Sequence, residues 1–127
     1  MSMPQAGDCN IALALERVAA AQADQVGLVS RAGDGYRSWT FAELQARVQD
    51  YAAALRQQGV SRGGRGMLMA RPSMEVVCLS FALFRLGAGV ILIDRGMGFR
   101  NLLRCIGRVK PEVLLAIPVV QLLSRFF

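Results

Sequence analysis

At 127 residues, 54% of them hydrophobic and 19% charged, the chain has the length of one domain and the apolar content for a substantial core. Cysteines 9, 78 and 105 are odd in number, share no C-x-x-C spacing and have no histidine beside them, which argues against a disulfide framework and against a zinc site. The net charge of +6 is uneven, because residues 1–61 carry five arginines against six acids while residues 62–127 carry nine arginines and Lys110 against three acids.

The arginines of that basic half are spread through amphipathic segments with few aromatics between them, a pattern of a solvated face rather than of a nucleic-acid surface. The amino terminus shows no basic n-region followed by an apolar stretch, so no secretory signal is expected. Residues 74–93 are apolar enough to raise the question of a membrane span. Glu75, Arg85, Gly87 and Gly89 interrupt them well short of the roughly 20 apolar residues a span needs. Together with the odd number of cysteines, this fits a reducing cytosol, and a cytoplasmic chain is expected.

Residues 1–8 are expected to form a flexible terminus. Asn10 is a good N-cap, and Ile11, Leu15, Val18 and Ala19 fall on one face, which predicts a first helix over 10–23. Gln25–Ser30 and Tyr36–Trp39 are short β-prone runs on either side of Ala32-Gly-Asp-Gly35, the pattern of a small hairpin.

Thr40 followed by Glu43 forms a capping box in which each side chain serves the other's orphan backbone N–H. Trp39 at N′ and Leu44 at N4 add a hydrophobic staple, so a helix starts at Phe41. Phe41, Leu44, Val48, Tyr51, Ala52 and Leu55 continue one apolar stripe, and Gly59 supplies a left-handed stop. Core packing is the commoner meaning of such a stripe, ahead of a partner groove.

The centre of the chain is the order strand, helix, strand. Gly66–Ala70 is a short apolar run, Ser73–Leu86 a helix-length segment with hardly any polar face, and Val90–Asp94 a second short run. Two such runs joined by a crossover of this length predict a parallel βαβ unit with strands buried on both faces. Pro72 ends the first strand, and Ser73 caps the helix with Glu75 in its first turn. Leu102, Leu103, Ile106 and Val109 mark another helix up to Lys110-Pro111. Residues 113–117 read as a third parallel strand, and residues 119–127 as the start of a further helix-like segment.

Two glycine-rich stretches invite a phosphate reading. Ser61-Arg-Gly-Gly-Arg-Gly66 lacks the G-x-x-x-x-G-K-[ST] spacing and opens a strand instead of a helix, so a turn is the better assignment. Gly96-Met-Gly98-Phe-Arg-Asn101 has the better topology, after a strand and before a helix. Its third fingerprint glycine, however, is Asn101, and no acid ends a strand about 20 residues on. Cys78, inside an apolar run, reads as a small buried hydrophobe.

Taken together, the capped start Ser38–Leu44, the turn and strand Gly63–Ala70, the helix start Arg71–Glu75 and the run Phe81–Ala88 leading to Asp94 resemble the amino-terminal region of the adenylate-forming enzymes. That family includes acyl-CoA synthetases, nonribosomal-peptide adenylation domains and luciferases. Ala82–Ala88, Leu92–Asp94 with Gly96, and Lys110–Pro118 are similar in particular to the β-lactone synthetases of bacterial olefin biosynthesis. Where the family usually has proline after the strand-end aspartate, Arg95 stands here.

The resemblance implies an α/β fold with a mostly parallel sheet, flanking helices and a preceding hairpin, with residues 9–127 forming a partial amino-terminal subdomain. It also implies activation of a fatty-acid carboxylate by ATP and Mg²⁺ in the complete enzyme. That chemistry needs a Gly/Ser/Thr-rich loop with a lysine around the triphosphate, an acid for the metal and ribose, and a cation near the acyl phosphate. In the family these groups lie beyond the matched region. No catalytic, cofactor-binding or metal residue is therefore assigned to this chain, and it is expected to bind no cofactor itself.

The apolar ending Leu122–Phe127 fits an expectation of a truncated piece, whose partner is the remainder of the ligase fold or another copy. The alternative is a non-catalytic α/β module that binds a protein or a phosphorylated ligand through its basic half.

Overall fold

The structure, a computed structural model, describes residues 10–69, 73–93 and 95–116. In chain order these form helix α1 (Ile11–Ala21), strands β1 (Val26–Ala32) and β2 (Gly35–Thr40), helix α2 (Phe41–Gln57), strand β3 (Arg65–Met69), helix α3 (Met74–Arg85), strand β4 (Gly89–Leu92), a 3₁₀ turn (Arg95–Met97), helix α4 (Phe99–Val109) and strand β5 (Val113–Ala116). The expected α/β architecture is present, with element ends shifted by one or two residues in most cases. Ala70, Asp94 and the expected segment over 119–127 lie outside the described residues.

Strand β3 is the centre. It pairs in parallel with β4 on one side, Met67 opposite Ile91, and with β5 on the other, Met67 opposite Leu114. A central parallel strand must be apolar on both faces, and the run from Gly66 to Met69 meets that demand. Leu68 and Val90 pack with α2 and α3 in one core, and Met67, Met69, Ile91 and Ile93 pack with Leu102, Cys105, Ile106 and Val109 of α4 in the other. The sheet is thus a middle layer between helices.

Two of the helices are stopped by the same device. Gly59 (φ 95°) donates to Arg56 O while Val60 donates to Leu55 O, and Gly87 (φ 75°) donates to Phe84 O while Ala88 donates to Leu83 O. Both pairs are Schellman closures, in which the left-handed residue turns the chain so that the next one satisfies a carbonyl of the last turn. Val60 and Ala88 are buried, so each stop also feeds the core just before a strand.

The capping box at α2 forms as expected. Thr40 Oγ1 accepts from Glu43 N at 3.2 Å, and Glu43 Oε1 accepts from Thr40 N at 3.3 Å. Trp39 and Leu44 are buried in the same core, with Val48, Ala52 and Leu55.

Of the face expected for α1, Ala19 is buried and Leu15 and Val18 are partly buried, and the correction is at Ile11, which is exposed while Ala12 is buried beside it. The helix lies against both α2 and α3, and small side chains there allow close approach. Asn10 Nδ2 also donates to Phe84 O at 2.7 Å, a tertiary bond that fixes the rotation of α1.

Candidate functional site

The glycine turn entering β3 is occupied from within the fold. Gly63 N donates to Gly87 O at 3.0 Å and Gly64 N to Ser61 O at 2.9 Å. Ser61 N donates to Glu112 Oε2 at 3.4 Å, so a carboxylate closes the turn. A triphosphate needs such N–H groups free and convergent, and a carboxylate beside them opposes an anion. The residues of this turn therefore do not fit a phosphate group, and they act as a joint between α3, β3 and the entry to β5.

The second glycine stretch leads into α4. Gly98 (φ 83°) is its N-cap with no side-chain capping bond, and Asn101 Nδ2 turns back to donate to Met97 O at 2.9 Å. The position of the third fingerprint glycine is thus filled by a side chain that braces the 3₁₀ turn. Lys110 ends α4 in the left-handed conformation (φ 49°), its N donating to Ile106 O, immediately before Pro111. Its side chain is exposed at this corner.

Cys78 is fully buried on α3, its sulfur 3.5 Å from Met74 Sδ and 3.8 Å from Leu44 O. Burial pushes its thiol up to about 11, with Glu75 adding to the rise and Arg47 opposing it. A thiol so held is protonated at neutral pH and is a packing group. Among the described residues no group of three or more His, Cys, Asp or Glu side chains is arranged to hold a metal ion.

A cleft of about 540 Å³ lies between the hairpin and the start of α3. Ser30, Arg31, Arg37 and Trp39 line it from the hairpin, and Ser73 and Glu75 from the helix. The Arg37 guanidinium carbon sits 3.6 Å from the Trp39 ring centroid, and Trp39 Nε1 donates to Ser30 Oγ at 3.1 Å. Ser73 Oγ accepts from Val76 N at 3.3 Å as the cap of α3. Ser30 Oγ is taken up by Trp39 and Ser73 Oγ by the helix cap, and among the described residues neither hydroxyl is hydrogen-bonded to a carboxylate, so the cleft offers a stacked, polar wall.

The sequence reading missed this cleft because Trp39 was accounted for by the helix start. The signal available was the pair Arg37 and Trp39, which alternation places on one face of β2.

A parallel sheet between helices, preceded by a hairpin and a capped helix, is also the architecture found in adenylate-forming enzymes. The inhibitor-bound N-terminal domain of FACL13 from Mycobacterium tuberculosis superposes with a TM-score of 0.82 at 22% identity, over 91% of this chain and 29% of that one. CmiS6 superposes with a TM-score of 0.78 at 26% identity, over 91% of this chain and 28% of that one.

The AMP-binding enzyme family model matches residues 15–125, and the chain belongs to that family. It is 38% identical over 124 residues to the olefin beta-lactone synthetase of Xanthomonas campestris pv. campestris, covering 92% of this chain and 22% of that protein. The olefin beta-lactone synthetase of Stenotrophomonas maltophilia is 36% identical over 121 residues, covering 89% of this chain and 22% of that protein. The chain therefore spans about a fifth of the length of these relatives.

Proposed function

We propose that this chain is the amino-terminal part of an AMP-dependent ligase of the acyl-CoA synthetase or β-lactone synthetase type, which would activate a fatty-acid carboxylate with ATP and Mg²⁺. The observation that carries the reading is the 38% identity to an olefin beta-lactone synthetase across 92% of the chain. In that role these residues supply a buttressed sheet and not the reacting groups, and ATP and Mg²⁺ are held by later parts of the ligase fold. The chain by itself is inactive, works in the cytoplasm and is completed by the remainder of the ligase. Among the described residues no helix is long and apolar enough to cross a membrane.

The engaged N–H groups of Ser61, Gly63 and Gly64 support the inactive reading, because the glycine turn that leads into the central strand spends them within the fold and beside a carboxylate. The test is pyrophosphate release from Mg-ATP and a long-chain fatty acid. The isolated chain gives none above buffer, and co-expression with the remaining part of a homologous β-lactone synthetase restores it. Turnover by the isolated chain would overturn the inactive reading, and failure of every complementing partner would leave the binding-module alternative standing.

A further inference from the structure

Helix α4 carries Arg100, Arg104 and Arg108, all exposed, at intervals of four residues. At a rise of 1.5 Å per residue the three guanidinium groups form a row with steps of about 6 Å along one side of the helix. The opposite side, Leu102, Cys105, Ile106 and Val109, is packed on the sheet, so the row points outward and cannot turn into the core. Among the described residues none of the three has an acidic partner within 4 Å; the ion pair seen there joins Arg37 and Glu43.

This placement is locally unfavourable in two separate ways. Like charges four residues apart repel across a helical turn. Arg100 also stands in the first turn, where the helix dipole disfavours a cation, and α4 has no acid in that turn to offset it. A sequence selected only for the stability of α4 would put an acid at one of these sites. Conflict between local preference and observed sequence is a mark of an external demand.

From this we infer that the outer face of α4 is a docking surface for an acidic helix of another protein, whose carboxylates repeat at the same one-turn interval. Arginine forks pair with carboxylates in bidentate fashion, and three in register give both orientation and charge selection. Nucleic acid is the weaker fit, because the one aromatic of α4, the exposed Phe99, stands before the row and no aromatic falls between the three arginines to stack successive bases. The inference concerns a surface away from the hairpin cleft and does not depend on the ligase reading.

The probe is a fluorescein-labelled synthetic helix with glutamates at i, i+4 and i+8, measured by anisotropy against the 127-residue chain. A peptide of the same composition with its glutamates on scattered faces, a short DNA duplex and phosphatidylglycerol vesicles serve as comparators. The expected result is saturable binding of the registered peptide, at least tenfold weaker for the scattered one, and weakening with salt. The triple variant Arg100→Gln/Arg104→Gln/Arg108→Gln loses tenfold or more while its circular dichroism is unchanged. The corresponding triple lysine variant, which keeps charge but not the fork, retains part of the binding. Equal binding of both peptides, tighter binding of DNA or vesicles, no binding of the registered peptide, or no loss in the folded glutamine variant each overturns the inference.

Discussion

Gly66 and Leu83 touch so closely that a β-carbon on the glycine would lie 2.5 Å from Leu83 Cδ1. Leu83 is fully buried, and Gly66 is the point where α3 comes down onto the central strand. Any side chain there forces the helix off the sheet or Leu83 out of its rotamer. Overpacking of this kind costs about 1–3 kcal/mol. Gly66→Ala is expected to lower the denaturant midpoint accordingly. Adding Leu83→Ala should cost less than the two single changes summed, because the smaller partner makes room. Strict additivity in that double-mutant cycle would show that the contact does not set the packing distance.

At the start of α2, Thr40 and Glu43 satisfy each other's orphan backbone groups, and Glu43 Oε2 also lies 4.0 Å from Arg37. Removing the hydroxyl leaves the Glu43 N–H without its intramolecular acceptor. Thr40→Ala should therefore destabilise the chain by about 1 kcal/mol, and Thr40→Ser should restore most of it. Equilibrium urea unfolding of the three proteins checks this. The ion pair to Arg37 is exposed and contributes little, so Arg37→Ala should leave the cap intact.

How legible the fold was depended on the range of the signal. The capping box, the glycine stops and the strand–helix–strand order are written in residues a few positions apart, and these the sequence gives away. Contacts between distant positions are not. Glu112 closing on Ser61 spans 51 residues, and Asn10 reaching Phe84 spans 74. Neither has a local pattern. The same limit explains Ile11 of α1: periodicity finds the helix and most of its inner face, but the tertiary bond of Asn10 and the small side chains of Ala12 and Ala19 set the rotation that leaves Ile11 exposed. Gly27 was equally silent. It sits at a register shift in β1, where a β-carbon would lie 2.7 Å from Phe41 Cδ1, and only the folded hairpin shows why that position has no side chain.

Cys78 gives a pH prediction with a defined sign. Its thiol is raised from 9.0 to about 11 in the folded chain, mainly by burial, so the folded state holds the proton more tightly than the unfolded state. The stabilisation is fully present below about pH 9 and is lost as pH rises through about 11. Unfolding measured between these limits should show a decline that is shallower in Cys78→Ala. Peptide-level alkylation at pH 8 should find Cys78 protected until the chain unfolds.

Gly107 lies in the interior of α4, exposed, with nothing within 4 Å of where a β-carbon would stand. Its φ is not in the left-handed region, so alanine fits without strain. Gly107→Ala should stabilise the chain by about 0.5–1 kcal/mol, by restricting the unfolded chain and improving helix propensity. A lower thermal midpoint would mean that α4 is held in a shape alanine cannot share.

The last expectation concerns the sheet as a whole. In the order β4-β3-β5 the outer strands each present an edge with no further strand paired to it among the described residues. Leu92 on β4 is 67% exposed, although alternation places it on the same face as the partly buried Val90. An unpaired parallel edge beside exposed apolar side chains is a template for association. The isolated chain should therefore self-associate in light scattering and bind a hydrophobic dye strongly. Leu92→Lys should reduce both, because a charge on an edge strand opposes pairing and leaves little core packing to lose. A monodisperse, dye-silent wild-type chain would mean that the edge is already protected, and would favour the self-sufficient binding module over a part of a ligase.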